Sequence, residues 1–392
     1  ELQGGHANVG LWRSPKMRPR DIRLWNWLAV AGGAKGIIYW TYLAEATGRE
    51  ATGYGLVRRD GSTTTHAEEA AKNKKLIEEY WDLIKDYRPK PEVAILFDYD
   101  NALLAYAMTG NEDASTNSFR GYYEAVWKSD LWADFIQPDS IDAGAYKALI
   151  VPWHLIGKKE TCARLLQFAE AGGTVIVETA FGMFDEQTYY NPVIPPHGLS
   201  EAFGYREESS YYVNSGAKDH PLAMPANTSP SDQIYYNPSI EFSKPISVKV
   251  TGHTFLTPIE VSTATPIAKS FGFNVAAWNT VGQGQIYYIG TSLGASVTAG
   301  HEGGVELLRA MMTPVVPPAV KGRKLRPRLI EGAGRALLAV FNDTPEDQIE
   351  SLQIPASYHR AVDIHQRQEI VVTGNTLTLA VPYQDVVVLL LE

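Results

Sequence analysis

At 392 residues the chain is long enough for two or three domains with sizeable cores. Its 44 acidic against 35 basic side chains give a formal charge of −9, which argues against nucleic acid or an anionic membrane as a partner. The single cysteine, Cys162, excludes an intramolecular disulfide and disfavours a cysteine-ligated zinc centre, and no apolar run reaches membrane-spanning length.

The chain opens Glu1-Leu2-Gln3-Gly4-Gly5-His6-Ala7-Asn8, with Trp12 shortly after. A carboxylate beside an amide and an aromatic ring is the equipment of a sugar site, where the acid attacks or stabilises and the ring stacks on the pyranose. Domains rarely begin on a catalytic residue, so this reading expects the chain to be the back part of something longer. Residues 20–33 predict a helix, with Leu24, Trp25, Leu28 and Ala31 at helical spacing and Gly32-Gly33 as its stop. Gly36–Trp40 predicts a short buried strand, and His66–Tyr87 a charged amphipathic helix after a polar loop. Segment 1–88 therefore reads as the last two units of a (β/α)₈ barrel, whose other six are expected upstream.

Arg88-Pro89-Lys90-Pro91 reads as a linker into a second domain, 89–325. Strands are predicted at Val93–Phe97, Ala148–Pro152 and Thr174–Val177, with helices at Phe119–Leu131 and Lys159–Ala171. Apolar strands alternating with helices predict a parallel α/β sheet, and the domain resembles the glutamine-amidotransferase-like fold. At the turn where such enzymes place a cysteine stand Trp153 and His154, while Cys162 falls inside a helix and reads as core. Residues 180–260 read as an irregular insertion carrying Tyr211-Tyr212, His220, Tyr235-Tyr236 and His253, without metal-ligand spacing. Strands return over 265–290, Gly282-Gln283-Gly284 predicts a hairpin turn, and Val305–Met312 a helix.

Gly290-Thr291-Ser292-Leu293-Gly294 fits the G-x-S-x-G of a nucleophile elbow, which makes Ser292 an alternative nucleophile for a serine esterase. Glu302, Asp343 and Asp363 with His301, His359 and His365 permit the order serine, acid, histidine. The bland reading is a capped strand-end turn, since 295–304 is glycine-rich and no helix is expected at once. After a Pro- and Lys/Arg-rich linker at 314–327, the tail 326–392 alternates with period two at Ala336–Phe341, Ile370–Val372, Leu377–Leu379 and Val386–Leu391. That predicts a small C-terminal antiparallel β-sandwich.

Four stretches resemble family 42 β-galactosidases in their C-terminal part. They are Glu1-x-Gln3 with Gly5 and Asn8, Arg23-Leu24-Trp25-Asn26-Trp27, Tyr39–Tyr42 followed by Glu50, Gly55 and Asp60-Gly61, and Pro91–Tyr99. The resemblance implies a partial (β/α) barrel remnant, an α/β domain through which members trimerise, and a retaining mechanism. It implies Glu1 as nucleophile and Glu50 as a ligand of sugar hydroxyls, with Trp12, Tyr42 and Asn8 binding substrate and Trp40 packing in the barrel. It also implies a carbohydrate substrate and a homotrimer, with no cofactor, no metal and a cytoplasmic location. The family's general acid lies on a barrel strand outside this sequence, and Gly53-Tyr54 stand where its loop often carries a histidine. Alone, the chain is expected to be a poor galactosidase or a non-catalytic assembly domain.

Overall fold

The computed structural model describes residues 1–213, 238–332 and 334–392, so His220, Tyr235 and Tyr236 lie outside the described residues. Two compact units are present, one built from 1–90 with 319–392 and the other from 91–318.

In the first unit, β1 (Leu2–Gln3) and β2 (Tyr39–Trp40) pair in parallel, with Leu2 opposite Tyr39 and Gln3 opposite Trp40. The paired strand is only Tyr39–Trp40, although Ile38 O already accepts from Leu2 N–H at 2.7 Å, and the run expected to be buried leaves Ile38 74% exposed. Helix α1 (Pro19–Ala31) connects the two. Pro19 opens it without wasting a donor, and the Asp21 carboxylate accepts from the Arg18 backbone N–H at 2.7 Å. Helix α2 (Thr65–Glu79) starts on Thr64, whose hydroxyl accepts from Ala67 N–H at 3.1 Å. The single helix expected to Tyr87 breaks at Tyr80, where φ −104° and ψ 22° leave the helical basin before a short turn at Trp81–Ile84.

The tail returns to these helices. Its antiparallel strands form a five-stranded sheet, ordered 326–331, 336–342, 385–391, 361–363 and 368–370, and a three-stranded one. Leu338, Val340, Leu352, Leu377, Leu379 and Leu389 fill one core between them. Trp27, wholly buried on α1, donates its indole N–H to Asn73 Oδ1 at 3.0 Å and lies 3.1 Å from His365 Nε2. Arg23 grips Asp385 through two nitrogens, at 3.0 and 2.7 Å, a forked pair that is mostly out of water.

The second unit is a nine-stranded mixed sheet. Its parallel part runs β4 (Ala133–Ile136), β3 (Val93–Leu96), β5 (Ala148–Val151), β6 (Thr174–Glu178) and β7 (Gly284–Ile289) in space. In chain order that is 2-1-3-4-5, a doubly wound arrangement. Helices α3 (Tyr99–Thr109), α4 (Asp113–Lys128), α5 (Lys159–Glu170), α6 (Leu293–Thr298) and α7 (Gly304–Met312) accompany it. Four antiparallel strands extend the sheet beyond β7, and Val281 faces Gly284 across the expected hairpin turn.

Two expectations change here, and the one for Cys162 holds. Residues 180–260 are not irregular where described: strands 205–207, 211–213, 239–242, 248–251, 254–256 and 259–261 and a helix at Leu199–Phe203 run through them. Their brevity and their Ser, Pro and Tyr content hid the period. Helix α3 and strand β4 were not predicted, because α3 is apolar all round and β4 is a short edge. Cys162 lies buried in α5, and burial pushes its thiol up to about 12.

Two carboxylates of this unit are withdrawn from water, Glu178 at the end of β6 and Glu207 on the strand 205–207. Glu178 accepts from the Ser118 hydroxyl at 2.5 Å and Trp153 N–H at 2.9 Å, yet burial pushes it up to about 8. Glu207, bonded by Ala180 N–H at 2.8 Å and the Tyr288 hydroxyl at 2.9 Å, is pushed up to about 7 by burial.

Opposite pH dependences follow for the two units. Burial holds His365 down to about 3, so the stability it contributes is complete above its ordinary value of about 6.5 and is lost as pH falls toward 3. Thermal melts should fall by several degrees between pH 7 and 4.5, and fall less in His365→Gln; an equal slope in both would refute this. For Glu178 and Glu207 the sign reverses. Their stability is complete below about 4.5 and is lost as pH rises through about 7 and 8. Glu178→Gln keeps the neutral shape, and its melting temperature should drop less from pH 6 to 9 than that of the wild type.

Candidate functional site

The site grows from the ends of β1 and β2. Parallel pairing sets Gln3 beside Trp40, and Gly4 N–H donates to Trp40 O at 2.7 Å to carry the pairing one residue further. The loop 41–57 then folds back over this end. Thr41 N–H donates to Tyr54 O at 2.8 Å, Tyr54 N–H to His6 O at 2.9 Å and Leu56 N–H to Thr41 O at 2.7 Å. Backbone lies on backbone here: a Cβ on Gly5 would stand 2.3 Å from Gly55 O, and one on Gly53 would stand 2.8 Å from Asn8 N and Cβ.

This folding creates a hollow of about 450 Å³ lined by Glu1, Leu2, Gln3, Trp40, Glu50 and Tyr54. The Trp40 indole N–H donates to Glu50 Oε2 at 3.1 Å, which fixes the carboxylate against the ring edge. Gln3 Nε2 donates to Gly5 O at 2.6 Å, which leaves its amide oxygen free to accept. Two carboxylates, an amide, an indole and a phenol thus face one cavity, a set able to hold several hydroxyls of a polyol and to stabilise positive charge at a carbon.

Glu1 and Glu50 are brought together from positions 49 residues apart in sequence. The other sequence candidates stand elsewhere. Asn8 is 2% exposed, beneath the loop, and donates to Thr52 Oγ1 at 2.9 Å. Trp12 is 59% exposed on a hairpin opposite Val9. Tyr42 borders a second hollow of about 800 Å³ beside α1 and α2, whose walls include Val30, Ile37, Leu56, Ile77 and Trp81. Gln3 is in the opening motif but without a role of its own, and Trp40 and Tyr54 were not expected in the site; the parallel register that ends both strands at Gln3 and Trp40 brings two of the three there.

Ser292 is 2% exposed, and its backbone N–H donates to His253 O at 3.2 Å. Helix α6 begins at once on Leu293, contrary to the non-helical stretch expected there, so the strand-turn-helix context exists. A nucleophile elbow nevertheless needs an open serine paired with a base. The Ser292 hydroxyl has no histidine or carboxylate partner among the described residues, and Asp343, Asp363, His359 and His365 belong to the other unit. The turn is part of the packed interior, which corrects the esterase reading. No cluster of three metal-ligating side chains occurs among the described residues.

Two family models match the chain. One described as a β-galactosidase trimerisation domain covers residues 91–312, and one described as β-galactosidase covers 1–80. β-Galactosidase BgaB of Geobacillus sp. strain Y412MC61 is 30% identical over 188 residues, 46% of this chain and 27% of that protein. β-Galactosidase Bga of Halorubrum lacusprofundi is 24% identical over 299 residues, 74% of this chain and 40% of that protein. Among solved structures, the β-galactosidase from Bacillus circulans sp. alkalophilus superposes with a TM-score of 0.78 at 20% identity, over 100% of this chain and 55% of its own. That from Rahnella sp. R3 gives 0.76 at 17% identity, over 100% and 54%. The chain thus spans about half the length of these solved relatives.

The tight seat of Gly53 yields a measurable sign. At a permissive position Gly→Ala stabilises by roughly 0.4–1 kcal/mol. Gly53→Ala should instead destabilise by about 1–3 kcal/mol in urea unfolding, because the new methyl has to displace Asn8 backbone. A stabilised variant would show that the loop does not close this tightly.

Proposed function

Because the chain belongs to the glycoside hydrolase family 42 β-galactosidases, we propose that it is the part of a retaining β-galactosidase that supplies the nucleophile and the trimerisation scaffold. The observation that carries this reading is the single hollow shared by Glu1, Gln3, Trp40, Glu50 and Tyr54 at the ends of two parallel strands. In it β1–α1–β2–α2 are the last two units of a barrel. The apolar hollow along α1 and α2, with Tyr42, Leu56 and Trp81 on its walls, is where further barrel units pack.

The chemistry follows from the side chains. Glu1 attacks the anomeric carbon as the bond to the leaving oxygen breaks, and a second carboxylic acid gives that oxygen its proton. Water then displaces Glu1, surrendering its proton to the same second group, so the anomeric configuration is retained. Glu50, oriented by the Trp40 indole, accepts hydrogen bonds from sugar hydroxyls, and Gln3 and Tyr54 contribute further polar contacts. The proton donor belongs to the remainder of the barrel. A chain lacking it gives up roughly 10²–10⁴-fold in rate, so full activity is a property of the longer polypeptide. The match of residues 91–312 supports a homotrimer.

The test uses p-nitrophenyl β-galactoside and a polypeptide that carries the preceding barrel units of a family relative fused to residue 1. Glu1→Gln should lower kcat at least 10³-fold, and Glu1→Gly with azide should yield the α-galactosyl azide, since azide enters from the face the carboxylate vacates. Wild-type turnover in Glu1→Gln would overturn the assignment.

A further inference from the structure

Helix α3 has the composition of a buried helix, yet one side of it lies open. Its eleven residues, Tyr99–Thr109, include a single charge, Asp100, and are otherwise apolar or small nearly all round. One side is fastened to the domain. Asn101, wholly buried, donates to Trp153 O at 2.9 Å and accepts from Leu155 N–H at 2.5 Å. Ala105 enters a small core with Trp153, Leu155 and Ala180. Asp98 caps the first turn by accepting from Asp100 N–H at 3.0 Å. On the other side Tyr99, Leu103 and Tyr106 fall at i, i+4 and i+7 and are 63%, 51% and 56% exposed. A helix that holds three large side chains, two aromatic and one aliphatic, in water along one stripe offers an association surface.

We propose that this face of α3 is where a second copy of the chain seats. The inference rests on the homotrimer reading and assigns that assembly a contact surface. Two observations commit the face to another copy. Helix α3 lies inside 91–312, the stretch that the trimerisation-domain model matches. Its charge is wrong for a bilayer: interfacial helices are rimmed by Lys and Arg, whereas α3 has neither and the chain carries −9. Three copies close a ring through unlike surfaces, so α3 of one copy meets a different patch on the next. Tyr123 and Phe135, stacked at 5.8 Å between ring centres and exposed at 36% and 53%, form a second apolar patch of matching character in the same unit.

The experiment is light scattering on the 392-residue chain at micromolar concentration. The wild type should have three times the 43.2 kDa chain mass. The double variant Leu103→Glu with Tyr106→Glu should have the single-chain mass, with association at least about 100-fold weaker and near-ultraviolet circular dichroism unchanged. Leu103→Ser, a milder change, should weaken the trimer about 10-fold and covers the case in which the double variant misfolds. A trimer that survives these substitutions overturns the α3 assignment and leaves the trimer reading standing. A wild type that is monomeric throughout overturns both.

Discussion

The candidate site depends on one constraint, the approach of two stretches of main chain to within a distance that only glycine allows. Gly4 and Gly5 follow β1, Gly53 and Gly55 sit in the loop after β2, and hydrogen bonds between their neighbours knit the two together. This lattice places the main chain that carries the side chains lining the smaller hollow. Glu1 precedes β1 and Gln3 ends it, Trp40 ends β2, and Glu50 and Tyr54 stand on the returning loop. With glycines along the seam, register is set mainly by peptide groups, which are stiff and directional, with Asn8 and Thr52 adding one side-chain bond. A carboxylate placed this way costs little ordering at the moment a substrate arrives.

The same constraint explains how the sequence could and could not be read. Glu1, Gln3, Gly5 and Asn8 were visible as a motif, and Glu50 as a distant acid, but their meeting depends on loop closure that no periodicity encodes. Trp40 is the instructive case. An aromatic ending a short apolar run reads as core, and here it is 44% exposed because its strand stops at that residue and its indole turns toward Glu50. Asn8, by contrast, reads as a ligand and lies under the loop, where it supports Thr52.

In the α/β unit the long apolar strands β3, β5 and β6 were legible because burial on both faces makes them continuous apolar runs. Helix α3 was not, since a helix apolar on most sides has no stripe to detect. The short strands between 205 and 261 alternate too briefly for a period to emerge. The Ser292 turn shows the opposite failure. Its local pattern is right for a nucleophile, but burial, which a five-residue pattern does not report, closes it to any substrate.

Trp27 meeting Asn73 and His365 joins residues from the two ends of the chain, with 228 residues of the α/β unit intervening between Lys90 and Ala319. During vectorial synthesis the two outer pieces therefore emerge far apart in time. At roughly 5–20 residues per second, α1 and α2 wait tens of seconds for the strands that cover Trp27, while the α/β unit, contiguous in sequence, can already have formed. Segment 1–90, made before the α/β unit, is thus completed only after it, and through that interval Trp27 lacks the strands that cover it.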